Sequence, residues 1–485
     1  MISEKKRYFA FLLALPALII VALTRFLPIA EGVMLAFKKF SMKEGAVASP
    51  WVGGGNFSKI FGNTAFRAIL GNTLTINISF IILTLILTLI LGISLSYIKN
   101  TRLWAVFCIL FILPFFIPGI YWNVLFGRLF SSKGWLQSPG SDPVLYLANG
   151  DVVRRLYIIA ETIRWAGLLA SLTAFAARKA LERGRIAAAA KAAFSILLIS
   201  VAFIPVTDFK LMHPLINPLV YEKVDNLTMF SFRTGLLNMD IGADSALWLM
   251  KSLYCFIVLT LLLLFADRFI FHSLLPSSGG SIRDGQPERT GENAAAVVIS
   301  SIYAAFILLI IVLTLLALSG LLPQAAMPLF LHSGVVYLAL AVISSAIGIL
   351  LSVLLAYPLT TAQAGARKAY AVIFIILLAA GQFGIHEYLF IKSAGLLNTY
   401  TAIIISNMLN PAAILILGAF CNYKSGDTPL AFGQFVRTCF PAIVCIFIAT
   451  LLLNMDSYTS SLMYMSRHDM QSPSVQVYQI YTGMS

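Results

Sequence analysis

Glu161 and Arg164 stand three residues apart in an otherwise apolar run, and on a helix that spacing puts both charges on one face, close enough to pair. Ionisable groups in such a setting either neutralise each other as a structural pair or line a water-filled path. Little else in the chain has the pattern of a reaction centre. It contains no Gly-x4-Gly-Lys-Ser/Thr loop for nucleotide phosphates, no Gly-x-Ser-x-Gly elbow and no clustered acid pair. His386-Glu387 begins like a zinc-protease helix, but no second histidine follows at the required spacing. Five cysteines (Cys108, Cys255, Cys421, Cys439 and Cys445) lie within or at the ends of apolar runs without Cys-x-x-Cys pairing, and are expected to be buried and reduced. The sequence therefore predicts neither an enzyme nor a metal site. It also predicts no cofactor in this chain, so that any ATP would be handled by a partner subunit.

The elements that carry these residues are membrane spans. A spanning helix needs about 20 mostly apolar residues, because the bilayer cannot satisfy an open backbone. Six such runs occur in the first part, near Phe9–Leu27, Leu74–Ile98, Leu103–Phe126, Leu156–Ala177, Ala187–Val206 and Ala246–Phe265. Five more follow, near Ala295–Leu318, Val335–Leu355, Tyr370–Phe390, Ala402–Phe420 and Val436–Leu453. The expected fold is an all-α integral membrane protein of about eleven transmembrane helices. Hydrophobic residues make up 59% of the chain and charged ones 11%, against roughly 25% charged in soluble domains. The first span follows Lys5, Lys6 and Arg7 with no cleavage-site pattern after it, so a retained helix is expected, not a removed signal peptide.

The formal charge of +14 is carried largely by short loops, with no aromatic-interleaved basic patch, which argues for topology and against nucleic acid. With a cytoplasmic N-terminus, alternate loops carry Lys99 and Arg102, then Arg178, Lys179, Arg183, Arg185 and Lys191, then Arg268, Arg283 and Arg289, then Arg367 and Lys368, and last Lys424 and Arg437. The loop Gly320–His332, placed outside, has no Lys, Arg, Asp or Glu, whereas the longer outside loop around Lys38–Arg67 is also basic.

Several sequence words carry a resemblance. Leu15-Pro16-Ala17, Ala36-Phe37-Lys38, Ser49-Pro50-Trp51-Val52-Gly53, Asn56-Phe57 and Asn72-Thr73-Leu74 are followed by Asn217-Pro218-Leu219-Val220-Tyr221-Glu222, Arg233-x-Gly235-Leu236 and Lys251-Ser252. In this order they resemble carbohydrate-uptake ABC transporter permeases of the binding-protein-dependent class, particularly the oligosaccharide branch. The second part resembles the partner permease of such systems through Ala356-Tyr357-Pro358-Leu359, Arg367-Lys368, Tyr388-Leu389-x-Ile391-Lys392-Ser393 and Gly395-Leu396-Leu397-Asn398-Thr399.

The resemblance implies two pseudo-repeated permease halves fused in one chain: residues 1–272 with six spans, a cytoplasmic linker at 273–293, and residues 294–485 with five spans and the family's sixth missing. The Gly/Ser/Pro-containing composition of Pro276–Gly291 suits a flexible connection. It further implies a multi-pass protein of the bacterial plasma membrane, cytoplasmic ABC ATPase subunits, an extracellular solute-binding lipoprotein and a carbohydrate substrate. A non-transporting membrane scaffold or regulator derived from such permeases is the alternative.

The family's coupling loops carry Glu-Ala-Ala…Gly. In the first half, Arg178, Lys179 and Glu182 lie where that pattern is expected, in a basic, alanine-rich segment that does not reproduce it. In the second half Asn422-Tyr423-Lys424 replaces Glu-Ala-Ala, Thr428 replaces the Gly, and Asp427, Phe435 and Pro441 resemble the later part. For the translocation path the candidates are Glu161, Arg164, Trp165, Asn407, Asn410, Asn454 and Asp456. The asparagines would bond sugar hydroxyls or neighbouring helices. Asn454 and Asp456 would line an outer vestibule or form a solvated helix end. Trp122 and Trp165 would stack on a pyranose or anchor the interface. Pro114 and Pro118 should kink the third span.

Single cysteines placed at Ser281 and Gly365 in a cysteine-free background are expected to react only from the cytoplasm, and one at Gln324 only from outside. Labelling of intact cells with an impermeant maleimide checks this, and outside labelling at Ser281 would overturn the topology.

Overall fold

Apolar runs separated by Pro, Gly and Asn punctuation become helices throughout. The computed structural model describes residues 4–137, 144–180, 184–274, 293–321, 327–362, 364–381, 384–426 and 428–483. The linker Pro276–Gly291, with Ser281, and also Gln324, Glu182 and Asp427, lie outside the described residues.

Helix α1 (Glu4–Val21) runs through a π-helical turn at Ala22–Phe26 into α2 (Leu27–Leu35). The widened turn precedes Pro28, which has no N–H for the carbonyl four residues back. Short α3 (Gly45–Ala48) and α4 (Gly55–Phe61) lead to α5 (Phe66–Ser96). The next span is broken into α6 (Thr101–Phe116) and α7 (Gly119–Phe130), bent by 85°. Pro118, at the N-cap of α7, with Pro114 one turn earlier, turns the expected kink into a break. Then come α8 (Gly150–Arg178), α9 (Arg185–Val201), the short α10 (Phe209–Met212), α11 (Tyr221–Val224) and α12 (Leu227–Phe232), and α13 (Ile241–Leu261) with its continuation α14 (Asp267–Leu274).

The chain continues with α15 (Ala294–Ser319), α16 (Met327–Thr361), a second bent pair α17 (Ala364–Ala380) and α18 (Ile385–Ser393) at 95°, then α19 (Tyr400–Asn407) and α20 (Pro411–Ser425), α21 (Phe432–Met455), and short α22 (Tyr458–Tyr464) and α23 (Pro473–Thr482). Asparagine side chains cap α6, α8, α15 and α20 from Asn100, Asn149, Asn293 and Asn410, each accepting first-turn N–H groups.

The protein is all-α and multi-pass. Among the described residues eight helical stretches are long and apolar enough to cross a bilayer, and ten if each bent pair counts as one span. The remaining run, Ala187–Val206, falls short because α9 has 17 residues, roughly 26 Å against a hydrocarbon core of about 30 Å. It ends four residues before Pro205, where turns replace the helix. Four cysteines are buried, but Cys445 on α21 is exposed, contrary to expectation, because it lies beside Val444 and Ile448 on an open apolar face of that helix.

Helices group into two compact units that cut across the sequence halves. The first comprises Met1–Ile69, Leu227–Thr260 and Pro323–Ser485, and the second Leu70–Asn226 and Leu261–Leu322. In the first unit α1 packs on α16. In the second, α15 packs on α6 and α7, and Ser94 donates to the Ala296 carbonyl at 2.8 Å.

Close packing of α8 on α6 rests on Gly167, where a Cβ would collide with the Phe111 carbonyl. Gly167→Val should therefore destabilise the chain by about 1–3 kcal/mol or more, read as a lower melting temperature in detergent. Gly71→Ala, at an open position on α5, should leave it unchanged or raise it slightly, since Ala is the better helix former.

Candidate functional site

Two polar clusters inside the spans collect most of the path candidates. In the second unit Arg164 Nη1 donates to Glu161 Oε1 at 2.7 Å and to Asp208 Oδ2 at 2.6 Å. The helical spacing brings the first partner, and the loop after α9 brings the second. Asp208 also caps α10, accepting the Lys210 N–H at 2.8 Å, and its own N–H donates to the Tyr157 hydroxyl at 2.8 Å. Burial alone would raise the Asp208 carboxyl, but the Arg164 guanidinium holds it below the ordinary range. Glu161 and Arg164 are buried. Trp165 is 36% exposed, with its ring edge-on to Phe115 at 4.8 Å. Trp122 on α7 is buried.

In the first unit Asn407, Asn410 and Asn454 meet at the break between α19 and α20. They line a narrow cleft, with free space of about 10 Å³, together with Ser344, Ser345, Ser352 and Thr450. Asn454 Nδ2 donates to Ser345 Oγ at 3.0 Å, Asn407 Nδ2 to Ser457 Oγ at 3.0 Å, and Ser460 Oγ to Asn407 Oδ1 at 3.3 Å. Asn410 caps α20 through the Ala412 and Ala413 N–H groups. The wall from α16 comes this close because Gly348 faces the Met408 carbonyl, where any Cβ would collide. The lining carries no charged residue, so it can exchange hydrogen bonds with hydroxyl groups without paying for ion desolvation. Asp456 lies just beyond, buried, and accepts from Ser474 Oγ at 3.1 Å.

Coupling-loop candidates are spread along short hairpins. Only Lys179–Gly184 separates α8 from α9, and only Gly426–Ala431 separates α20 from α21. Arg178 stacks over Trp104 at 4.6 Å and Lys179 over Phe175 at 4.4 Å. Lys424 lies 5.9 Å from the Phe420 ring, and Thr428 Oγ1 donates to the Ser425 carbonyl at 2.5 Å. Phe435 is fully buried against Tyr357, and Pro441 sits inside α21.

Other polar groups of the first unit, buried or half-buried, were not among the path candidates read from the sequence. Arg25 pairs with Glu387 at 2.5 Å and donates to the Ser406 carbonyl at 2.5 Å. Asp244 accepts the Ile385 N–H at 2.9 Å and the Ser231 hydroxyl, which closes the N-terminus of α18. Trp248 Nε1 donates to the Ala380 carbonyl at 3.1 Å, and its ring lies 4.1 Å from His386. A charge inside an apolar run, as at Arg25, was the available signal.

No family profile matches the chain. A stretch of 95 residues is 35% identical to Protein LplC of Bacillus subtilis (strain 168), covering 19% of this chain and 32% of that protein. The chain thus spans about a third of that curated relative's length. Among solved structures, a bacterial alginate ABC transporter in complex with alginate pentasaccharide-bound periplasmic protein is 18% identical, covering 55% of this chain and 96% of that chain with a TM-score of 0.46. A bacterial ABC transporter involved in the import of the acidic polysaccharide alginate is 19% identical, with the same coverages and a TM-score of 0.45.

Removing one partner of a buried ion pair strands the other. Arg164→Met should therefore destabilise the protein by about 3–5 kcal/mol, while Glu161→Gln combined with Arg164→Met should recover more than half of that. Thermal unfolding in detergent checks this, and a single variant as stable as the parent would remove the network from the account of the fold.

Proposed function

We propose that the chain is a membrane-spanning permease component of an ABC-type carbohydrate or oligosaccharide importer, forming part of the translocation path and driven by separate cytoplasmic ATPase subunits. The observation that carries this reading is the uncharged cleft at the α19–α20 break, lined by Ser and Asn side chains within the spans. Such a lining suits a neutral polyhydroxylated ring, whose hydroxyls donate and accept as the lining groups do. The cleft as it stands has about 10 Å³ of free space, room for about one water molecule, so a sugar ring would enter only as the helices around the α19–α20 break part. Support comes also from the sequence words shared with permeases, and from the local similarity to Protein LplC. A plasma-membrane location with a cytoplasmic N-terminus belongs to the same proposal, as do an extracellular solute-binding lipoprotein and the absence of chemistry in this chain.

A second reading, a non-transporting scaffold or regulator derived from such permeases, is favoured by the hairpins. Six residues between α8 and α9, and six between α20 and α21, leave no room for a lateral docking helix of several turns. Bulky or charged residues at Tyr423 and Lys424 further oppose a tight groove contact.

Co-expression with the host's sugar-transporter ATPases and a solute-binding lipoprotein separates the two. A transporting component should copurify with an ATPase and show carbohydrate-stimulated hydrolysis in proteoliposomes, and Asn407→Leu should reduce uptake at least tenfold. Absence of copurification and of any carbohydrate response would overturn transport in favour of the scaffold.

A further inference from the structure

We propose that one end of the second unit binds the headgroup of an anionic phospholipid. The start of α6, the end of α8 and the start of α9 come together there, as the packing of Arg178 over Trp104 and of α8 on α9 shows. The segment Arg178–Lys191 holds five basic residues and one acid, Glu182, in sequence. Two of its guanidiniums are held on rings, Arg178 over Trp104 at 4.6 Å and Arg185 over Tyr97 at 5.2 Å. Stacking fixes the plane of a guanidinium, and the N–H groups in that plane are the ones that match a phosphate.

The occupant follows from what lies next to the cations. On α6 Arg102 is followed at helical spacing by Val106 and Ile109, 50% and 62% exposed. On α8 Lys179 leads back to Phe175 and Leu172, 39% and 48% exposed. Each face thus reads cation first, then an open apolar stripe. A ligand that meets both parts must be anionic at one end and apolar along its length, which describes a phospholipid with its acyl chains on the stripes. An acidic groove on a partner protein would satisfy the cations and leave the stripes unmatched. The inference rests on the membrane-spanning fold and not on transport.

The test is native mass spectrometry of the full chain in mild detergent, titrated with phosphatidylglycerol or phosphatidylcholine of equal chain length. Phosphatidylglycerol should bind at least tenfold more tightly, glycerol phosphate without acyl chains should not displace it, and Arg178→Gln with Arg185→Gln should abolish the preference. Because those two arginines pack on rings, a second variant at exposed positions, Arg102→Gln with Lys179→Gln, should weaken the preference at least threefold in folded protein. Arg467→Gln, an exposed cation of the first unit, should leave it unchanged. Equal binding of both lipids, displacement by glycerol phosphate, or a preference unaltered in the exposed-position variant would overturn the assignment. So would an exposed-position variant that keeps its lipid preference but loses an ATPase subunit, which would assign the cations to protein docking instead.

Discussion

The bilayer offers no partner to an open N–H or carbonyl, and at two breaks in the spanning helices polar side chains supply one. One turn into α7, Asn123 Nδ2 donates to the carbonyls of Gly119 and, on α10, Leu211, at 2.9 and 3.0 Å, and so ties the two helices together. At the α17–α18 break the Asp244 carboxylate takes the Ile385 N–H, placing a negative charge at a helix N-terminus where the dipole favours it. Around the α19–α20 break Asn410 caps one half-helix, while Arg25 takes the Ser406 carbonyl at the end of the other. An unsatisfied backbone group in this setting costs several kcal/mol. Asp244, Asn410 and Arg25 are explained by that need before any function is assigned.

The same constraint divides what the sequence makes legible from what it hides. Spans are read from hydropathy summed over about 20 residues, a measure that registers apolar length and ignores direction. Hence Leu103–Phe126 and Tyr370–Phe390 read as single spans, though the chain turns by 85° and 95° within them. Pro114 and Pro118 announce the first break, whereas the second has only Gly381 and Gly384 nearby. The Glu161–Arg164 pair was legible from helical spacing, but Asp208 was not, since it lies 44 residues from Arg164 beyond an intervening helix. Asn410 illustrates the opposite case: a polar residue inside a predicted span stands at a helix start and caps it. The topology and the linker concern contacts with solvent and with residues outside those described.

The compact units do not follow the order of the chain. Segments far apart in sequence complete each of them: α1 packs on α16, and α15 packs on α6 and α7. A unit completed by a distant helix cannot close until that helix is made, which raises the sequence separation of its contacts and slows assembly.

The polar cleft and the short hairpins constrain function from opposite ends. Asn407, Asn454, Ser345 and Ser457 already bond one another, so a sugar entering the cleft exchanges existing hydrogen bonds for new ones. The net gain of such an exchange is about 0.5–1.5 kcal/mol per bond at most, and the cleft has no aromatic platform in its lining to add to it. Weak, exchangeable contacts suit passage better than retention, and specificity would then be set before the membrane is reached. Passage also requires the spans to move, and the force for that would have to enter through connections of six residues. The cleft is therefore compatible with transport only if a partner grips these hairpins directly, without the lever of a docking helix. On the proposed reading, that demand weighs more than any property of the cleft.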